Sequence, residues 1–284
     1  MIDNIRLSLY SPPELIKLEA YTLTDYPIVV HLDLDVLVLK PLDELFDMMM
    51  YGSDHVEPLK AIMWPEKELP KQVDAFYTYD YNMVAISKPH KPVQGGFLVT
   101  RPSMEVYEEF RKIVLEGDFR EGKGWGGMIG PFHGAMTFQG LIPYYYDILH
   151  PGKSIELNRC IYNQMCDNPR DQKTVNDVVH GNCRIGTEEC EDCRSRPLED
   201  IVTTHFTLCQ KPWGCYPHTQ DTIQHRLCRK LTREWYRIRS EMEKSWGRTG
   251  TGPGTHDTEN FFGYCTKNFE KGYVPIEEPY GKPV

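Results

Sequence analysis

The run His31-Leu32-Asp33-Leu34-Asp35-Val36-Leu37-Val38-Leu39 sets two carboxylates one residue apart inside an apolar stretch. An ionised carboxylate taken out of water is costly unless a cation or hydrogen bonds compensate it, so the pair restricts what can surround this segment. In an extended chain the side chains of i and i+2 lie on one face. Asp33 and Asp35 can therefore converge on one point, either along a continuing strand or where the strand ends in a turn. A divalent metal with oxygen ligands suits that geometry. Aspartates that merely end a strand and cap the following turn are the other reading of the spacing.

The remainder of the chain has ample material for a core. Its 284 residues, 40% hydrophobic and 12% aromatic, suffice for one large domain or two small ones. Lys and Arg total 32 against 41 Asp and Glu, a formal net charge of −9. That field repels phosphate backbones and argues against a nucleic-acid partner. No apolar run of about 18 residues could span a bilayer, and no charged-then-apolar signal pattern opens the chain. The expectation is a soluble chain without a membrane segment.

Eight of the nine cysteines fall at 160, 166, 183, 190, 193, 209, 215 and 228, with Cys265 alone in the tail. The clustering suggests a cross-linked segment in an oxidising compartment. Free thiols are a second reading. A third takes His180, Cys183, Cys190 and Cys193 as a zinc site, because the closing C-x-x-C has ligand spacing. Glu188, Glu189, Glu191 and Asp192 disfavour a reactive thiolate beside them, since negative neighbours raise a thiol pKa.

Along the chain, "SPPELIKLEAYTL" opens with Ser11, Pro12 and Glu14, an N-cap, a first-turn proline and a capping-box acid, which predict a helix. Tyr26 to Leu39 is a β-rich run holding the aspartates. Leu42, Leu45 and Phe46 of "KPLDELFD" suit a short helix packed back on a sheet. "VQGGFLVT" (93–100) reads as a strand, followed by a helix with Met104, Tyr107, Phe110 and Val114 at helical spacing. Dense glycines over 117–134 imply a loop that turns tightly or approaches a ligand closely. The stretch from Asp200 to Trp213 predicts a strand delivering His205 and Lys211 to a common edge. "PYYYD" (143–147) reads as core and Ile223 to Trp246 as a charged helix with a packed stripe. "GRTGTGPGTHDTE" reads as a flexible linker before an aromatic tail. The alternation is α/β.

Four segments in order, "KLEAYTLTDYPIVVHLDLDVLVLKPLDELFD", "QGGFLVTRPS", "FQGL" and "HFTLCQKPW", resemble the successive motifs of the family 8 glycosyltransferases, the group that includes glycogenin and galactinol synthase. The resemblance spans roughly residues 11 to 213. It implies a glycosyltransferase A-type, Rossmann-like mixed sheet flanked by helices. It implies metal-dependent retaining transfer of a hexose from a UDP-sugar to an acceptor hydroxyl on a glycan, a protein or a small polyol. It further implies Asp33, Asp35 and His205 as ligands of Mn²⁺, Lys211 on the diphosphate, Gln94 and Gly95 at the donor, and Gln139 near the reacting sugar. Oxygen and imidazole donors together suit a borderline ion such as manganese.

The departures are informative. The family's Asn-Ser-Gly appears as Gln94-Gly95-Gly96, and its Asp-Gln-Gly as Phe138-Gln139-Gly140, so an aspartate near the reacting sugar is missing. Leu208 stands where a glycine is expected. Only 32 residues precede Asp33, whereas a βαβ unit takes about 30 or more, so the family's uridine-binding first half is expected to be truncated. The expected division is a partial transferase domain over 1–216, with a Cys-rich insert at about 160–195, and a helical extension and tail over 217–284. A missing upstream anchor would fit a Golgi or secretory-lumen enzyme; without one the expectation is cytoplasmic. The competing reading is a non-catalytic relative that binds only metal or glycan. Trp213 could stack an acceptor sugar or serve the fold alone.

Overall fold

The computed structural model describes residues 12–52, 61–171, 176, 181–248, 255–256, 264–266 and 270–276. In chain order the elements are α1 (Pro12–Leu15), β1 (Val29–Leu32), β2 (Val36–Val38), α2 (Asp43–Tyr51), β3 (Ala75–Tyr79), β4 (Val93–Thr100) and α3 (Met104–Glu116). There follow β5 (Phe119–Arg120), β6 (Gly124–Trp125), α4 (Phe138–Pro143), β7 (Ser154–Glu156), β8 (Thr203–His205), α5 (Ile223–Ser245), β9 (Thr255–His256) and β10 (Tyr264–Cys265).

The main sheet has the order β1-β4-β3-β7, with β4 antiparallel to both neighbours and β3 parallel to β7. This is a mixed α/β sheet. All eight residues of β4 are buried, which is why the "VQGGFLVT" run carries no polar alternation. Successive side chains of a strand point to opposite faces. Phe97 and Val99 accordingly join Leu45, Met48 and Met49 of α2 in one core. Leu98 joins Leu18, Tyr21, Phe110 and Phe138 in the core on the other face.

The helix over 104–116 forms between a Ser103 cap and Gly117, which adopts the left-handed conformation at φ 67°. Phe110 is its buried anchor, whereas Met104 of the expected apolar stripe is 46% exposed. The opening helix departs from expectation more. Only one α-turn forms, and Ile16–Thr22 continues as a 3-10 helix; Ser11 lies outside the described residues. The glycine-dense loop closes on itself. A Cβ at Gly124 (φ +80°) would stand 1.6 Å from the Ile129 carbonyl, so its glycines serve backbone packing there. Tyr145 and Tyr146 of "PYYYD" are core, as read.

A second ladder, β2 against β8, pairs Val36 with His205 and Val38 with Thr203. α5 covers it, with Leu227 and Leu231 packed on Leu37, Ile201 and Phe206. All eight non-free cysteines are paired: Cys160–Cys193, Cys183–Cys190, Cys209–Cys228 and Cys215–Cys265. Three of the proposed zinc ligands are thereby consumed in disulfides, and His180 lies outside the described residues. The tail cysteine is not alone, and the free thiol is the buried Cys166. Such pairing is the habit of secreted and lumenal proteins. Among the described residues no helix is long and apolar enough to cross a membrane. Of the expected linker, 249–254 and 257–259 lie outside the described residues.

One carboxyl makes the fold pH-sensitive. Burial, opposed by bonds from the Tyr81 hydroxyl and the Trp64 indole N–H, pushes Glu156 up to about 7. An unfolded Glu titrates near about 4.3. Between those two values the folded protein holds a proton that the unfolded chain has released, so stability falls as pH rises through that window. Glu156→Gln is expected to remove that part of the slope, read as melting temperature against pH. Parallel profiles for wild type and variant would refute the assignment.

Candidate metal centre

The aspartates do not share a continuous strand. β1 ends at Leu32, the chain turns through 33–35, and β2 begins at Val36. The turn is closed by the Val36 N–H on the Asp33 carbonyl at 3.0 Å. It is pinned from both sides, the Asp33 N–H donating to the Gly96 carbonyl and the Phe206 N–H to the Asp35 carbonyl, each at 2.9 Å. One bond anchors it to β4 and the other to the residue after β8. Leu34 between the aspartates is 98% exposed, while both carboxylates are partly buried.

Each carboxylate meets two nitrogen side chains. Asp33 Oδ1 lies 2.8 Å from Lys17 Nζ and 3.5 Å from His31 Nε2. Lys17 also donates to the Gly95 carbonyl at 3.1 Å. Asp35 Oδ1 lies 3.2 Å from His205 Nε2, and its Oδ2 contacts the ammonium of Lys211, which also donates to the Phe206 carbonyl. Burial disfavours both ionised carboxyls, but the nitrogen side chains facing them outweigh it. His31 and Lys17 hold Asp33 below the ordinary carboxylate range, and His205 and Lys211 hold Asp35 well below it.

The β2–β8 register explains how residues so distant in sequence meet: His205 stands opposite Val36, the residue after Asp35. Its ring packs on Gly96, where a Cβ would come within 2.3 Å of Cε1 and 2.5 Å of Nδ1. One donor atom from each of Asp33, Asp35 and His205 falls within 4.8 Å of the others. Two carboxylates and an imidazole fit a divalent cation. The imidazole moreover keeps a buried nitrogen, Nδ1, with no hydrogen-bond partner. Gly96→Ala is expected to displace the His205 ring and weaken divalent-cation affinity by about 10–100-fold, as losses of supporting contacts at metal sites do. Calorimetric titration with Mn²⁺ checks this, and unchanged affinity would remove His205 from the ligand set.

The other sequence candidates divide. The Gly95 carbonyl belongs to this cluster through Lys17. Gln139 flanks it, its Cγ 3.5 Å from where a Gly95 Cβ would stand. Gln94 does not join it: its carboxamide oxygen accepts from the Gly96 N–H at 2.7 Å and from Asn163 Nδ2 at 3.4 Å. Its side chain braces β4 from within. Lys17 and His31 were missed. His31 is two residues before Asp33, and the same-face argument that linked the aspartates could have found it. For Lys17 no signal existed, because only tertiary packing carries it to Asp33.

No family model and no curated protein matches the sequence. Among solved structures the chain is similar to the WbbM bifunctional glycosyltransferase apo structure, with a TM-score of 0.38 and 14% identity over 72% of this chain and 33% of that one. It thus spans about a third of that protein's length. A likeness this distant assigns neither reaction nor substrate.

Proposed function

We propose that this protein is a metal-dependent, retaining hexosyltransferase of the family 8 type, with a UDP-sugar as donor. One observation carries the reading: the motif pair 33–35 and the motif 205–211, far apart in sequence, meet at Asp35, where His205 and Lys211 both contact its carboxylate. Asp33, Asp35 and His205 would hold the cation, Mn²⁺ by their mixed donor chemistry. When bound, it supplies positive charge to a departing diphosphate. Lys211, with its side chain 43% exposed, offers a second positive charge to the same leaving group. Gln139 would orient the hexose, and the Gln94–Gly95 backbone would line the donor. In this reading residues 1–216 carry the transfer site and 217–284 are a helical extension and tail. The four disulfides support a lumenal setting such as the Golgi.

A second reading, binding without catalysis, is favoured by the ion pairs themselves. Lys17 and Lys211 already neutralise the two aspartates, so a cation must compete with ammonium groups. Titration of Mn²⁺ and UDP, followed by UDP release from several UDP-hexoses with and without EDTA, separates the two. Release that requires the metal supports the transferase. Metal binding without nucleotide binding supports the second reading, and binding of neither overturns both.

A further inference from the structure

The odd cysteine does not stand apart from the bridges. Cys166 is wholly buried with its Sγ 3.3 Å from Cys209 Sγ, and Cys209 is already bridged to Cys228. The three sulfurs fall within 4.8 Å of one another. A buried cysteine ordinarily fills space as a small apolar side chain. This one faces a bond that its thiolate can attack.

The thiol is held in that place. Cys166 adopts the left-handed backbone at φ 61°, a conformation that a residue other than glycine keeps only where its surroundings fix it. Its N–H donates to the Gln164 carboxamide oxygen at 2.8 Å, and Gln164 Nε2 donates in turn to the carbonyls of Cys160 and Cys193 at 3.0 and 2.9 Å. Those two residues are themselves joined by a disulfide. On the other side, Cys209 lies between His205 and Lys211, the two side chains that meet Asp35. The resting bridge ties this stretch to Cys228 in α5.

We infer that Cys166 and the Cys209–Cys228 bridge form an internal thiol–disulfide switch, which moves the covalent tie of the 205–211 segment from α5 to the loop at Cys166. The step balances without an oxidant. The Cys166 thiolate attacks Cys209 Sγ, the Cys166–Cys209 bond forms as the Cys209–Cys228 bond breaks, and Cys228 leaves as a thiolate that takes up the proton Cys166 released. The 3.3 Å contact has to close to about 2.05 Å, which displaces a segment that carries Lys211 two residues on. Burial pushes the Cys166 thiol up, and only the thiolate attacks, so exchange waits on a local opening of this cluster. The inference rests on the sulfur positions and not on the transferase reading.

The test is a thiol map of the wild-type protein from a secretory host, incubated in urea below its unfolding transition, quenched in acid, then unfolded and alkylated without reductant. The label is expected to pass from Cys166 to Cys228 as urea rises, with a single labelled thiol per chain throughout. Label confined to Cys166 at every urea concentration would overturn the switch, and so would label spread over the other bridges, which is general scrambling. Cys228→Ser should hold the exchanged form, with Cys166 bridged to Cys209 and no thiol free. Free thiols at both Cys166 and Cys209 in that variant would overturn it as well. The Phe206 N–H, which donates to the Asp35 carbonyl at 2.9 Å, reports the effect on the site. Its hydrogen exchange in Cys228→Ser should be several-fold faster than in Cys166→Ser, where only the resting bridge can form. Equal rates would overturn the link to the aspartate turn.

Discussion

Asp35→Ala is expected to abolish measurable Mn²⁺ binding and to lower metal-dependent UDP release by about 10²–10³-fold, the loss typical of removing one preorganised charge from a reacting site. The reason lies in its position. Asp35 faces His205 with one oxygen and Lys211 with the other, so its loss removes a proposed ligand and leaves a buried imidazole facing an ammonium. Asp35→Asn separates charge from shape: it keeps the contacts of a planar group and should bind cation almost as poorly. Because its neighbours hold the Asp35 carboxyl well below the ordinary range, it stays ionised at neutral and mildly acidic pH. The stability it contributes is present above the unfolded value of about 3.9 and is lost as pH falls below that. An affinity for Mn²⁺ unchanged in Asp35→Ala would remove the aspartate pair from any account of the site.

Removing the two disulfides that hold the 205–215 segment should be the largest perturbation of stability. Cys209–Cys228 closes a separation of 19 residues and Cys215–Cys265 one of 50. In the chain-entropy account these closures contribute about 3 and about 4 kcal/mol. The paired variant Cys209→Ser with Cys228→Ser is the cleaner test. Cys166 Sγ lies 3.3 Å from Cys209 Sγ, and the three sulfurs fall within 4.8 Å of one another, so a single substitution would leave two thiols free to pair. Denaturant midpoints give the loss. Lys211 lies two residues from Cys209, so cation and UDP affinities should fall as well. Peptide mapping of protein from a secretory host should find four bridges, with Cys166 alkylated only after unfolding, because burial pushes its thiol up and hides it. Nine thiols open to alkylation in the folded protein would sink the bridges and the lumenal reading together.

Local pattern made much of the architecture legible. The eight apolar residues of β4, the Ser103-capped helix ending at Gly117, and the long α5 with Leu227 and Leu231 on one stripe follow from periodicity and capping, which act within a few residues. The exposed Met104 and the 3-10 continuation after Leu15 were not legible, since tertiary cover decides which turns of an amphipathic segment are used. The same holds for cysteine pairing: Cys265 looked solitary because sequence distance says nothing about which tail folds back on which loop.

The sequence by itself determined that Asp33 and Asp35 need compensation by a cation or by hydrogen bonds, because two carboxylates in an apolar run are a local electrostatic fact. It also marked His205 and Lys211 as two residues of one segment. Which cations meet which carboxylate was decided only by the tertiary structure. The β2–β8 register brings His205 to Asp35, the 3-10 turn carries Lys17 to Asp33, and Gly96 leaves room for the imidazole that any side chain would fill. Hydrogen-bond register and steric room are properties of paired segments, and a pair is not written in either segment alone.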